Sequence, residues 1–123
     1  VVTLKSAYLG IPVSDLEAAA EWYGEHFGFK VVTRDPIFLK LLTETGVTIC
    51  LSKHDPPFRS HMQLPDGPFP VQGFIVADAE AVHNELRQRG VEVGQLFDYQ
   101  GQSFSFYDLD GNFIEVWSLP DKE

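Results

Sequence analysis

Gly10-Ile-Pro-Val-Ser-Asp-Leu-Glu-Ala18 returns later in the chain as Gly73-Phe-Ile-Val-Ala-Asp-Ala-Glu-Ala81. Gly10, Val13, Asp15, Glu17 and Ala18 match Gly73, Val76, Asp78, Glu80 and Ala81 at one constant offset of 63. A second pair, Gly46-Val-Thr-Ile-Cys-Leu51 and Gly111-Asn-Phe-Ile-Glu-Val116, aligns at an offset of 65. Self-similarity at a nearly fixed distance marks a duplicated supersecondary unit. The chain therefore reads as the same design written twice.

Working outward, each copy has the same element order. Leu9, Ile11 and Val13 alternate with Tyr8, Gly10 and Pro12, which predicts a strand over 7–13 with one face on a core. Ser14 with Glu17 three residues on is a capping-box pattern, so a helix starts there. Leu16, Ala19, Ala20, Tyr23 and Phe27 fall on one stripe of that helix, opposite Glu17, Glu21 and Glu25, and Gly28 ends it. Strands follow near 29–34, 37–42 and 46–52. The second copy predicts a strand over 71–76 and a helix capped by Asp78. Its stripe is Ala79, Val82, His83 and Leu86, and it ends at Gly90. Strands follow near 92–98, 102–107 and 112–118. The join from Lys53 to Pro70 holds five prolines and reads as a connector. The fold class is α+β: two βαβββ modules in one domain. The boundaries are module one over 1–53, a linker over 54–69 and module two over 70–120, with Pro120 to Glu123 as a polar tail.

Composition narrows the function classes. The 123 residues carry a formal net charge of −9. Nucleic acid and anionic membrane both require clustered Lys and Arg, so neither is an expected partner. No run approaches the roughly 18 apolar residues of a membrane-spanning helix. The N-terminus shows no basic-then-apolar leader pattern. Cys50 is the only cysteine, so no internal disulfide forms. A cytoplasmic setting is the expectation.

Phe106-Tyr-Asp-Leu-Asp-Gly-Asn-Phe-Ile-Glu-Val-Trp117 resembles the C-terminal signature of the vicinal oxygen chelate superfamily (glyoxalase, bleomycin-resistance protein, dioxygenase). There an aromatic residue and Asp-Pro-Asp-Gly-Asn lead into a strand ending in Glu and an aliphatic residue. Leu109 stands in place of the proline. Ile11-Pro-Val-Ser-Asp-Leu-Glu17, with Trp22-Tyr23 and Phe27-Gly28-Phe29, resembles the N-terminal signature. The resemblance covers nearly the whole chain. It implies curled mixed sheets forming a cup with the helices outside, and a homodimer.

The resemblance also implies four inward positions that supply metal ligands, commonly His or Glu. Two lie on the first strands and two on the last. Seven residues before Asp15 is Tyr8, and seven before Asp78 is Val71; the last-strand positions are Cys50 and Glu115. Phase agrees: with Leu9, Ile11, Val13, Ile49, Leu51, Ile114 and Val116 on the helix side, Tyr8, Thr48, Cys50, Ser52, Phe113, Glu115 and Trp117 face the cup. Val71 has no donor atom and Tyr8 is a rare ligand for such ions, so no divalent metal and no other cofactor is expected. Gln72 would replace Val71 only through a register slip. Asp108, Asp110 and Glu115 lack the spacing of an EF-hand loop.

The expected ligand-binding residues are thus Tyr8, Cys50, Val71, Phe113, Glu115 and Trp117. Glu115 is the one catalytic candidate, as a carboxylate on an apolar wall that acts as acid or base if its pKa is raised. It reads equally as a relic satisfied by Tyr8 or water. Tyr8 orients a ligand or fills the cup. Cys50 reads as a small buried hydrophobe, since no His matches it on the inward face. His83 reads as a hydrogen-bonded histidine on the outer side, His26 as a helix-flank residue, and His54 and His61 as exposed linker residues. Phe58, Met62, Leu64 and Phe69 either close over a ligand as a lid or tuck in along a plain connector.

Three functions stay open on the sequence. The favoured one is a metal-free binding protein for an aromatic or cationic small molecule. The others are a lyase, isomerase or dioxygenase-type enzyme using Glu115, and a regulatory or interaction module whose cup is vestigial.

Overall fold

The structure, a computed structural model, describes residues 1–55 and 58–120. The tail expected at Pro120–Glu123 lies outside the described residues from position 121 on, as do Pro56 and Pro57 of the join. The chain divides into two compact units, Val1–Phe58 and Arg59–Glu123.

The first unit contains β1 (Tyr8–Val13), α1 (Leu16–Phe27), β2 (Lys30–Arg34), β3 (Phe38–Leu42) and β4 (Thr48–Lys53). Its sheet runs β1-β4-β3-β2, parallel between β1 and β4 and antiparallel elsewhere. The alternation seen in the sequence is the alternation of burial: Ile11, Val13, Leu39, Leu41, Ile49 and Leu51 are buried. They meet Ala19, Ala20 and Tyr23 of α1, which are buried too. Each such aliphatic side chain removed from water contributes about 1.5–3 kcal/mol.

The helix begins one residue later than the capping-box reading placed it. Asp15 is the N-cap, and its side chain accepts from Ala18 N at 3.0 Å. Glu17 instead turns to Arg34, with oxygen-to-nitrogen distances of 3.1 and 3.3 Å. Gly28 closes the helix in the left-handed region (φ 73°), where glycine pays no Cβ penalty.

The second unit opens with a hairpin, β5 (Met62–Leu64) and β6 (Gly67–Phe69), inside the stretch expected to be a linker, as either a lid or a plain connector. Met62, Leu64 and Phe69 remain largely exposed there, as does Phe58 at the end of the first unit. Then come β7 (Gly73–Ile75), α2 (Ala79–Gln88), β8 (Phe97–Asp98), β9 (Gln102–Tyr107) and β10 (Phe113–Ser118). The sheet order β7-β10-β9-β8 repeats the first unit, again with one parallel pair, β7 with β10. Asp78 caps α2 through Ala81 N at 3.1 Å, as expected. Ala79 and Leu86 of the helix and Phe104, Phe106, Ile114 and Val116 of the sheet form its core.

Two strands are shorter than the sequence suggested. The run expected over 92–98 pairs in two pieces: a bridge of Val93 with Phe106, and the two-residue β8. Gln95 and Leu96 leave the ladder between them. The strand expected over 71–76 pairs only from Gly73 to Ile75. His83 fastens the interruption after Val93 by a 2.8 Å hydrogen bond between Nε2 and Gly94 O, its ring edge-on to Phe104. That is the outward, hydrogen-bonded histidine expected from the helix stripe. No helix among the described residues is long and apolar enough to cross a membrane.

Candidate functional site

Each sheet has one face covered by its own helix and one that is not. Strand register assigns the uncovered face without ambiguity, because paired residues share a face. In the second unit Phe113 pairs with Tyr107, Glu115 with Ser105 and Gly73, and Trp117 with Ser103 and Ile75. Phe113, Glu115 and Trp117 are half-buried there, while their neighbours Ile114 and Val116 are fully buried. In the first unit Tyr8 pairs with Thr48, Gly10 with Cys50, and Cys50 with Lys40. Tyr8 and Cys50 thus lie on one helix-free face, and Phe113, Glu115 and Trp117 on the other. Val71 precedes β7, outside any strand, and is 61% exposed.

The two repeat offsets meet in this register. Cys50 pairs with Gly10 as Glu115 pairs with Gly73. A glycine inside a strand leaves space for a close approach. A Cβ on Gly73 would sit 3.3 Å from Glu115 Cβ and 3.6 Å from its Oε1. The missing side chain is therefore what keeps one flank of the Glu115 carboxylate open. Among the described residues that carboxylate has no hydrogen-bond or ion-pair partner. Its aromatic neighbours are held: Trp117 Nε1 donates to Gln100 O at 2.8 Å, and Phe113 packs on Tyr107 with ring centroids 4.9 Å apart.

The turn before β10 positions this strand. Asp108, 7% exposed, accepts from Asp110 N (2.9 Å) and Asn112 N (2.8 Å) through Oδ1. Through Oδ2 it accepts from Asn112 Nδ2 (2.9 Å). Asn112 Oδ1 in turn accepts from Ser60 N at 2.8 Å. Asp108 thus serves the backbone of the turn.

His61 departs from the exposed linker residue expected. Its Nδ1 accepts from Phe113 N at 3.0 Å, so it is tied to the start of β10. Burial lowers its pKa from the usual 6.5, helped by Arg59 and opposed by Asp108. Only the neutral ring can accept that bond. A depressed pKa contributes stability that is present above the unfolded value and lost as pH falls. Wild-type protein should therefore lose thermal stability between about pH 7 and pH 5, and His61→Gln should lack that component. Parallel melting curves across that range would refute the link.

Grooves indicate where a ligand fits. The helix-free face of the first unit carries one of about 330 Å³, with Tyr8, Phe38, Lys40, Thr48 and Cys50 among its walls. A larger groove of about 610 Å³ lies at the start of α1, beside Asp15, Glu17, Arg34 and Lys53. The second unit has a counterpart of about 410 Å³ at the start of α2, beside Asp78, Glu80 and Ser118. These two occupy equivalent positions under the repeat offsets, so they follow from how each helix enters its sheet. The helix-free faces are therefore better candidates than the grooves at the helix starts. The sequence reading did not include Phe38 and Lys40, although a lysine between leucines in an apolar run is a visible signal.

A family model for the Glyoxalase/Bleomycin resistance protein/Dioxygenase superfamily matches residues 5–116. The chain belongs to that superfamily. A comparison with curated proteins gives no match. Among solved structures, a glyoxylase/bleomycin resistance protein/dioxygenase domain from Frankia sp. EAN1pec superposes with a TM-score of 0.75 at 19% identity, covering 97% of this chain and 100% of that one. TnmS3, an antibiotic binding protein from Streptomyces sp. CB03234, gives 0.72 at 22%, covering 96% and 100%. The genomically encoded fosfomycin resistance protein FosX from Listeria monocytogenes gives 0.77 at 16%, covering 98% of each chain. Likeness at these identities establishes the shared fold.

The superfamily's divalent metal does not fit the residues at the mapped positions. Val71 offers no donor atom, and the phenol of Tyr8 is a poor one. Cys50 and Glu115 remain, one in each unit. The register sets Gly73 opposite Glu115, so the slip that would promote Gln72 does not occur. Among the described residues no group of three or more His, Cys, Asp or Glu could hold a metal ion.

Proposed function

We propose that this member of the superfamily is a metal-free binding protein for a small aromatic or cationic molecule, held on the helix-free faces of its sheets. The observation that carries this reading is the Glu115 carboxylate. It is half-buried, flanked along the strand by Phe113 and Trp117, bordered by the bare backbone of Gly73, and without a protein partner among the described residues. A carboxylate serving only the fold would be used by it, as Asp108 is. A planar cation over the aromatic rings would gain cation–π contact and a charge-assisted hydrogen bond. TnmS3 is an antibiotic binding protein and FosX a fosfomycin resistance protein. Small-molecule recognition therefore has precedent on this fold, while the ligand class here rests on the residues.

Proflavine, a planar aromatic cation, is a direct probe. It should raise the melting temperature, because a ligand that prefers the native state stabilises it by mass action. Glu115→Gln should weaken its binding by about 1.5–3 kcal/mol, the range for a hydrogen bond to a charged group. Trp117→Ala should weaken it through lost contact. If proflavine binds wild type and both variants alike, the face around Glu115 is not the site.

A further inference from the structure

We propose that the first unit's helix-free face is an anion subsite, in which Lys40 holds the carboxylate or similar acidic group of a small apolar ligand. It rests on the small-molecule-binding reading above and adds a chemical class to it. Lys40 sits in β3, between Leu39 and Leu41, which are 1% and 0% exposed. Those buried neighbours fix the phase of the strand, so Lys40 is held on the opposite face, paired with Cys50. There it lines the groove of about 330 Å³ with Tyr8, Phe38 and Thr48. Two aromatic walls, the hydroxyls of Tyr8 and Thr48 and one ammonium suit an organic anion with a flat apolar body.

Two common explanations of a strand lysine, edge protection and ion pairing, do not apply. Lysines protect exposed sheet edges from pairing with other chains. The order β1-β4-β3-β2 puts β3 inside the sheet. A lysine also serves as one half of an ion pair, yet the ion pairs among the described residues are Arg34 with Glu17 and Arg89 with Glu85. Among those residues Lys40 has no such partner, in a chain whose net charge is −9. Lys40 is exposed on that face, where an acidic group of a ligand resting against Tyr8 and Phe38 would meet it.

The test compares cinnamate with its neutral analogue cinnamamide by amide-resolved NMR titration of the full chain. Cinnamate should shift the amides of Tyr8, Lys40, Thr48 and Cys50 and bind at least about tenfold more tightly than cinnamamide, the lower end for a charge-assisted hydrogen bond. Lys40→Met keeps the stem and removes the charge, so it should abolish that preference, and Arg87→Met, on the exposed surface of α2, should leave it intact. Equal affinity for the two probes, or a preference that survives Lys40→Met, overturns the anion subsite alone. If neither these probes nor proflavine binds at millimolar concentration, the small-molecule-binding reading falls with it.

Discussion

Asp108→Ala is expected to lower the unfolding free energy by about 3–5 kcal/mol, the cost of breaking a buried network around a charged acceptor. The carboxylate accepts from Asp110 N, Asn112 N and Asn112 Nδ2, and both Asp108 and Asn112 are buried. Alanine leaves those donors without their acceptor, two of them on the buried Asn112. It also loosens Asn112, whose Oδ1 holds Ser60 N. Asp108→Asn keeps one acceptor oxygen for the two backbone donors but sets an amide nitrogen against Asn112 Nδ2, so it should cost less than alanine. Urea unfolding of the two variants gives the comparison. An alanine variant within about 1 kcal/mol of wild type would show that the turn holds itself without the carboxylate.

Gly101→Ala is expected to cost about 2–4 kcal/mol through two separable effects. Gly101 has φ of +97°, a conformation L-residues rarely adopt. A Cβ there would also overlap the carbonyl oxygen of Ser118 and come within 3.1 Å of Trp117 Nε1. Relief requires moving the 99–101 turn away from β10, which breaks the bond from Trp117 Nε1 to Gln100 O. Gly46→Ala is the matched control: its φ is +94°, but a Cβ added there would meet nothing within 4 Å. Gly101→Ala should be clearly the less stable of the two and should shift the tryptophan fluorescence as the indole is released. Equal losses would mean that the backbone conformation, and not the close approach, sets the cost.

The duplicated order of elements, the helix stripes and the phase of the long strands are legible in the sequence because each rests on a local rule. Period-two burial follows directly from Leu9-Ile11-Val13 and Ile114-Val116, and the left-handed stop from Gly28. Hairpin β5–β6 is masked by the abundance of prolines around it, which suggests a connector. Its two-residue turn is Pro65-Asp66, with Gly67 as the first residue of β6 opposite Leu64. The break in the strand around Gln95 and Leu96 depends on His83 reaching Gly94 O, a contact between an element and its neighbour that no window of sequence contains. His61 is the same kind of case, its tie to Phe113 N spanning most of the second unit.

For the candidate site, the sequence names the faces but not their electrostatics. Tyr8 and Cys50 lie together on one helix-free face, and Phe113, Glu115 and Trp117 on the other. Val71 lies outside the strand pairing and stays largely exposed. The family pattern directs attention to the first and last strands of each module and away from β3, and so away from Phe38 and Lys40. The repeated glycines Gly10 and Gly73 are visible as a motif, yet the close approach of Gly73 to Glu115 emerges only from the parallel register.

The claim that ligand binding here needs no metal is tested most directly by titrating proflavine calorimetrically into chelator-treated protein, then into the same protein supplied with manganese or zinc. The account predicts the same affinity in both, reduced by Glu115→Gln in each. Binding that appears only once the metal is supplied would contradict it.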